Sequence, residues 1–155
     1  MTSDQSTKGR NARKRGNRAE VQVVNWLRSV GWPDARRYLA GDGRQPGDVS
    51  WHPLIVLEVK DVAASSWPTW CRQAVAECAP GQVPCVVRRT RGVPDVSQWR
   101  ARVRLWEWRT VLGQPVALDE WLHDVDHDAE TWPWVEVSMD ELANAVAAVD
   151  RSSDR

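Results

Sequence analysis

The chain has 155 residues, 42% of them hydrophobic and 27% charged, which fits one domain able to bury a real core. Its zero net charge hides a segregation: residues 1–118 hold 19 Lys and Arg against 10 Asp and Glu, and residues 119–155 hold 2 against 11. A basic body favours a polyanionic partner. No apolar run approaches the ~20 residues of a membrane-spanning helix, and the N-terminus lacks a signal-type apolar stretch, so a cytoplasmic location and no membrane partner are expected. Cys71, Cys78 and Cys85 form no C-x-x-C pair and leave an odd thiol, which argues against a disulfide framework or a zinc site.

Residues 1–16 read as a disordered basic arm. Lys8, Arg10, Arg13, Lys14 and Arg15, with Arg18 just beyond, are opposed only by Asp4, so the arm is a candidate DNA contact or a solubilising tail. A single domain then spans residues 17–150. From Asn17 to Val30 the periodicity is helical and puts Ala19, Val23, Val24, Trp26, Leu27 and Val30 on one arc. Glu20 falls inside that arc. A carboxylate aimed at a core requires a cation or a partner such as Arg28 or Arg37.

Gly31-Trp32-Pro33 ends the helix, and Ala35 to Leu39 reads as a strand. Ala40 to Gly47 holds three glycines and Arg44, a candidate phosphate contact. Asp48 to Trp51 and Leu54 to Lys60 read as two strands joined at His52-Pro53. Alternation puts Leu54, Val56, Glu58 and Lys60 on one face of the second strand. A two-residue turn would pair Asp48 with Leu57, on the wrong face. A three-residue turn would pair it with Val56, one diagonal step from Glu58, so that register or a bulge is expected. Two carboxylates and a lysine at the end of a buried strand suit a hard divalent cation with oxygen ligands beside an ammonium. Glu58 and Lys60 as an ordinary ion pair is the alternative.

Pro68 begins a helix with Cys71, Ala74, Val75, Cys78 and Ala79 as its packing stripe, and Gly81 terminates it. Periodicity places Gln73 on the surface. Val83 to Arg88 is a further strand, followed by a basic turn in which Arg88, Arg89 and Arg91 are candidate DNA contacts. Arg102 to Trp108 alternates imperfectly, as an edge strand would. An acidic C-terminal extension covers residues 113–150. In it Asp119 to Val125 reads as a short helix, His123 and His127 lie four apart, and Asp124-x-Asp126-x-Asp128 lacks the glycine and terminal glutamate of a calcium loop. Trp134 to Val137 reads as a strand, Ser138 and Glu141 as a capping box, and residues 151–155 as a frayed tail. Eleven tryptophans and no phenylalanine mostly mean packing, with Trp67, Trp70, Trp106 and Trp108 as candidates for base stacking.

Pro46, Gly47 and Asp48, followed by Glu58-Val59-Lys60, resemble the PD-(D/E)xK nuclease signature with a glycine inserted between the proline and the aspartate. The order of elements over about residues 17–92 is similar to that of archaeal and phage Holliday junction resolvase-like endonucleases. The resemblance implies an α/β fold with a restriction-endonuclease-like core (αβββαβ), here with a C-terminal strand-helix extension. It implies Mg²⁺, with Mn²⁺ able to substitute, held by Glu20, Asp48, Glu58 and the Val59 carbonyl. Lys60 would position the attacking water. Gln73 would lie near the active site, because Trp70, Gln73 and Ala74 match a Trp-x-x-Gln-Ala pattern in such nucleases. The implied activity is endonucleolytic hydrolysis of branched DNA to 5′-phosphate and 3′-hydroxyl ends by a homodimer. A nuclease of the same fold that nicks or trims duplex or single-stranded DNA, and a non-catalytic DNA-binding or partner-docking module, are the alternatives.

Overall fold

The computed structural model describes residues 3–38, 47–62, 66–111 and 134–153. It is a mixed α/β arrangement in which a six-stranded sheet carries helices on its faces. The elements run α1 (Ser3–Ser29), β1 (Arg36–Arg37), β2 (Val49–Ser50), β3 (Ile55–Lys60), α2 (Trp67–Glu77), β4 (Val83–Arg88), β5 (Arg100–Arg104), α3 (Leu105–Val111), β6 (Trp134–Ser138) and α4 (Met139–Ser153). The strands lie in the sheet in chain order. Among the described strands only β3 and β4 are parallel, and α2 supplies the crossover that such a pair needs; the other neighbours are antiparallel.

Alternation along the strands gives the sheet two chemically different faces. One carries Val49, Ile55, Leu57, Val59, Val83, Cys85, Val87, Ala101 and Val103, all buried in one cluster with the apolar stripes of α1 and α4. Ala19, Val23 and Leu27 recur every four residues along α1 and are wholly buried there, as are Met139 and Leu142 of α4. Trp99, just before β5, is fully buried in the same cluster, and its indole donates to the Val93 carbonyl at 2.9 Å. The opposite face carries a small cluster of Trp70, Cys71, Ala74 and Val86 beneath α2. The charged side chains of β3, β4 and β5 lie on this second face, whereas Arg37 of β1, in register with Val49, turns to α1 on the first.

Several expectations meet their elements directly. Ser138 and Glu141 form the reciprocal cap of α4, with Glu141 N donating to Ser138 Oγ at 3.1 Å and Ser138 N donating to Glu141 Oε2 at 2.6 Å. Pro68 lies in the first turn of α2, where its missing N–H leaves no gap. All three cysteines are free, and burial pushes the Cys71 and Cys78 thiols up to about 11.

Others change. Residues 3–16 continue α1 as helix instead of forming a disordered arm. Their Ala, Arg, Lys and Gln side chains are good helix formers, and extending a helix already nucleated by a packed segment is far easier than starting one. Strand β5 begins at Arg100 and stops at Arg104, where α3 starts, and it lies inside the sheet between β4 and β6. The expected strand over 102–108 thus divides into strand and helix, and β6 is the edge. Helix α4 runs to Ser153, past the expected end at Asp150. Among the described residues no helix is long and apolar enough to cross a membrane. Arg44, the His123/His127 pair, the Asp124 to Asp128 run and the Asp119 to Val125 helix lie outside the described residues.

Candidate active site

The register of β2 on β3 decides which carboxylates meet. Val49 pairs with Leu57, a register one place from the two-residue turn and two places from the three-residue turn considered from sequence. The turn closes at His52, whose carbonyl accepts from Ile55 N at 3.2 Å. Relative to the three-residue turn the shift is by an even number of places, so the facing survives. Asp48 N–H donates to the carbonyl of the same Leu57, so Asp48 and Val49 together oppose Leu57, as in a β-bulge, and the Asp48 carboxylate comes to the backbone N–H that follows Glu58.

The inserted Gly47 has a specific structural task. Its φ of +77° is one that side chains rarely adopt, and a Cβ there would stand 2.8 Å from the Leu57 carbonyl oxygen. Its N–H donates to Glu77 Oε2 at 2.7 Å, which ties the start of β2 to the end of α2. Gly47→Ala is therefore expected to cost about 1–3 kcal/mol of stability. Thermal unfolding reads this as a lowered melting temperature, and an unchanged value would show that the close approach is not maintained in solution.

Asp48 is held twice. Its backbone N–H donates to the Leu57 carbonyl at 2.9 Å, and its Oδ2 accepts from Val59 N at 2.8 Å. One carboxylate oxygen is thus fixed against the β3 backbone. Glu58, only 2% exposed, receives a hydrogen bond from Lys60 Nζ on Oε2 at 2.6 Å. The same ammonium donates to Gln73 Oε1 at 3.2 Å, and Gln73 Nε2 donates to Glu77 Oε1 at 3.4 Å. Glu77 is close enough to Glu58 to favour its protonated form slightly. Burial, then the Asp48 charge, pushes the Glu58 carboxyl up to about 8 despite the lysine beside it. Three carboxylates thus lie around one ammonium, and Glu58, the most buried of them, keeps its proton well above the usual carboxylate range.

Asp48, Glu58, Lys60 and Gln73 are therefore neighbours, with Gln73 reaching the site from the exposed side of α2. Glu20 is not gathered with them. Arg37 binds its carboxylate through Nε at 2.7 Å and through its terminal nitrogen at 2.5 Å. Among the described residues no group of three or more His, Cys, Asp or Glu side chains is arranged to hold a metal ion, so the metal set expected from Glu20, Asp48 and Glu58 is not assembled. The guanidinium satisfies the inward-facing acid in place of a metal. Val59 presents its side chain to the core.

The expected DNA contacts divide in the same way. Arg10, Arg13, Lys14, Arg15 and Arg18 are exposed along α1, and Arg91 is exposed at the turn after β4, while the Lys8 side chain lies outside what is described. Arg89 is engaged internally: it donates to the buried Asp61 at 2.9 Å and lies 6.0 Å from the Trp99 ring. Arg88 stands in register between Lys60 and Arg100. Among the stacking candidates Trp70 and Trp108 are buried, whereas Trp67 is half-buried under Arg102; the Trp106 side chain is outside the described set.

Sequence reasoning missed Glu77. Its signal was available, because Glu77 lies four residues beyond Gln73 and so on the same side of α2. It also missed the Asp61–Arg89 pair, which joins residues 28 apart and leaves no local pattern.

No family model, curated protein or solved structure matches the chain.

Proposed function

We propose that the protein is a Mg²⁺-dependent endodeoxyribonuclease with a restriction-endonuclease-like core, acting on branched DNA. The observation that carries this is the Lys60 ammonium, hydrogen-bonded to a buried Glu58, with the Asp48 carboxylate fixed on the next backbone N–H, that of Val59. The order α1, β1, β2, β3, α2, β4 is the order expected of that core.

The donor set suits Mg²⁺ or Mn²⁺. Val59 N–H takes one oxygen of Asp48 and Lys60 takes one of Glu58, which leaves each carboxylate a second oxygen. A small hard cation that retains several waters needs only one or two carboxylates. Asp48 and Glu58 would hold it, with the Val59 carbonyl as a further donor. When bound, the ion supplies Lewis-acid stabilisation of charge at the scissile phosphate.

The protein's own groups do the rest. Asp48 is kept in one orientation by two backbone hydrogen bonds. Lys60 positions the attacking water and offsets negative charge that builds up on the phosphoryl oxygens. Gln73 accepts a hydrogen bond from the same ammonium and so restricts its direction. By resemblance, attack leaves a 5′-phosphate and a 3′-hydroxyl. Symmetric cutting of a four-way junction calls for a two-fold dimer.

The test is cleavage of a four-way junction and of linear duplex and single-stranded DNA side by side, with Mg²⁺ and with EDTA. Mg²⁺-dependent cuts concentrated in the junction are expected. Equal cutting of linear substrates would instead favour a nicking or trimming nuclease. Binding with no cleavage under any divalent ion would contradict the catalytic reading and leave a DNA-binding module.

A further inference from the structure

The second face of the sheet continues beyond the candidate active site as a grid of cations. In the sheet Lys60 pairs with Arg88 and Arg88 with Arg100, which makes a row of three cations across β3, β4 and β5. Along β5, Arg100 and Arg102 alternate with the wholly buried Ala101 and Val103, so both point to the face of Glu58 and Lys60. Neighbouring strands are about 4.8 Å apart and alternate residues of one strand about 6.8 Å apart. Like charges directly opposite on adjacent strands oppose sheet formation. A run of them needs an anion.

Glu58 answers Lys60 at one end of the row, and at the β5 end the anion is Glu136 of β6. It binds Arg100, and it accepts from Arg102 Nε at 3.5 Å. Arg102 also lies over the Trp67 ring, 4.4 Å from its centre, which fixes the guanidinium as a flat platform at the start of α2. The pairing is open to competition. Arg100 remains 68% exposed and Arg102 34%, so the single carboxylate shared between them leaves guanidinium N–H groups facing solvent. Arg104, the next on this face, is bound by Glu107 and falls outside the set.

We propose that Arg100 and Arg102 are phosphate contacts for a DNA strand laid across this face and directed along the Arg88 and Lys60 row into the active site. Glu136 occupies these arginines until the phosphates displace it. This rests on the DNA-cleaving reading above but makes its own prediction about binding. Phosphate contacts act in proportion to the counterions they release, so each one removed lowers the salt slope of binding by about one.

The experiment is fluorescence anisotropy with a labelled DNA duplex in EDTA, over a range of salt, where cleavage plays no part. The Arg100→Ala/Arg102→Ala variant is expected to bind about tenfold or more weakly at low salt, with a slope smaller by about two. Glu136→Gln frees both arginines and is expected to bind several-fold more tightly, a gain that a folding defect does not produce. Unchanged affinity and slope in the double variant, or no gain with Glu136→Gln, overturns the proposal. A parent protein that cuts nothing yet shows both shifts retires the nuclease reading and leaves this one standing.

Discussion

Replacing Lys60 with alanine is expected to lower the single-turnover rate of Mg²⁺-dependent DNA cleavage by about a thousandfold or more, with DNA binding in EDTA changed only slightly. Charge stabilisation aimed at the transition state in a partly buried site is commonly worth several kcal/mol, and a factor of a thousand corresponds to about 4 kcal/mol. The ammonium is well placed to supply it, with hydrogen bonds to Glu58 at 2.6 Å and to Gln73 at 3.2 Å and its third N–H left for a ligand. A second consequence separates chemistry from scaffolding. Without the ammonium, the forces that already push Glu58 up to about 8 act unopposed, so its proton is held still more firmly. Residual activity of the variant should therefore rise with pH over a more alkaline range than that of the parent. A loss of less than about tenfold, with an unmoved pH profile, would mean that Lys60 is only the ion-pair partner of Glu58.

The second large effect concerns stability. Glu58→Gln is expected to stabilise the metal-free protein at alkaline pH while removing cleavage. In the unfolded chain the carboxyl titrates near 4.5, and in the folded protein near about 8. Below 4.5 it is protonated in both states and burial carries no charge penalty. As the pH rises towards 8 the unfolded chain loses its proton more readily, so stability falls through that window and levels off above it. Glutamine imitates the neutral acid and avoids the fall. In EDTA the two proteins should melt alike near pH 4.5 and differ by a few kcal/mol near pH 9, an order-of-magnitude figure that the loss of the Lys60 contact reduces. Parallel melting curves across that range would show that the Glu58 carboxyl is not raised. Removing the metal from the parent should matter most at high pH, where the ionised carboxylates are left with the Lys60 ammonium as counter-charge.

Much of the arrangement around this centre was legible because it is written in local patterns. The Ile55 to Lys60 run, the Val83 to Arg88 run and the Ser138–Glu141 cap each depend on residues close together in the chain, and each is found where the pattern puts it. The shared face of Glu58 and Lys60 was legible because alternation along one strand fixes it. The place of Asp48 was not, because its carboxylate is set by the Val59 N–H. The turn itself was not legible, since its length is set by the His52 carbonyl and by the close approach of Gly47 to Leu57.

What failed to show in the sequence was the identity of distant partners. Helical periodicity correctly turned Glu20 inward, but it cannot say whether a metal or an arginine 17 residues away receives it, and Arg37 does. The end of β5 was hidden because Arg102 to Trp108 alternates roughly as a strand would, although the chain becomes helix at Leu105. The cation row of Lys60, Arg88 and Arg100 exists only once three strands are aligned.

The account rests on Asp48 and Glu58 sharing one divalent ion beside Lys60, and a Mn²⁺ titration followed by electron paramagnetic resonance tests that most directly. The parent protein at pH 8.5 should bind Mn²⁺ and release it to added Mg²⁺. Asp48→Ala and Glu58→Gln should each weaken that binding about tenfold or more, while Glu20→Gln, whose carboxylate is committed to Arg37, should leave it within about twofold. Equal Mn²⁺ affinity in the parent, Asp48→Ala and Glu58→Gln proteins would contradict the account.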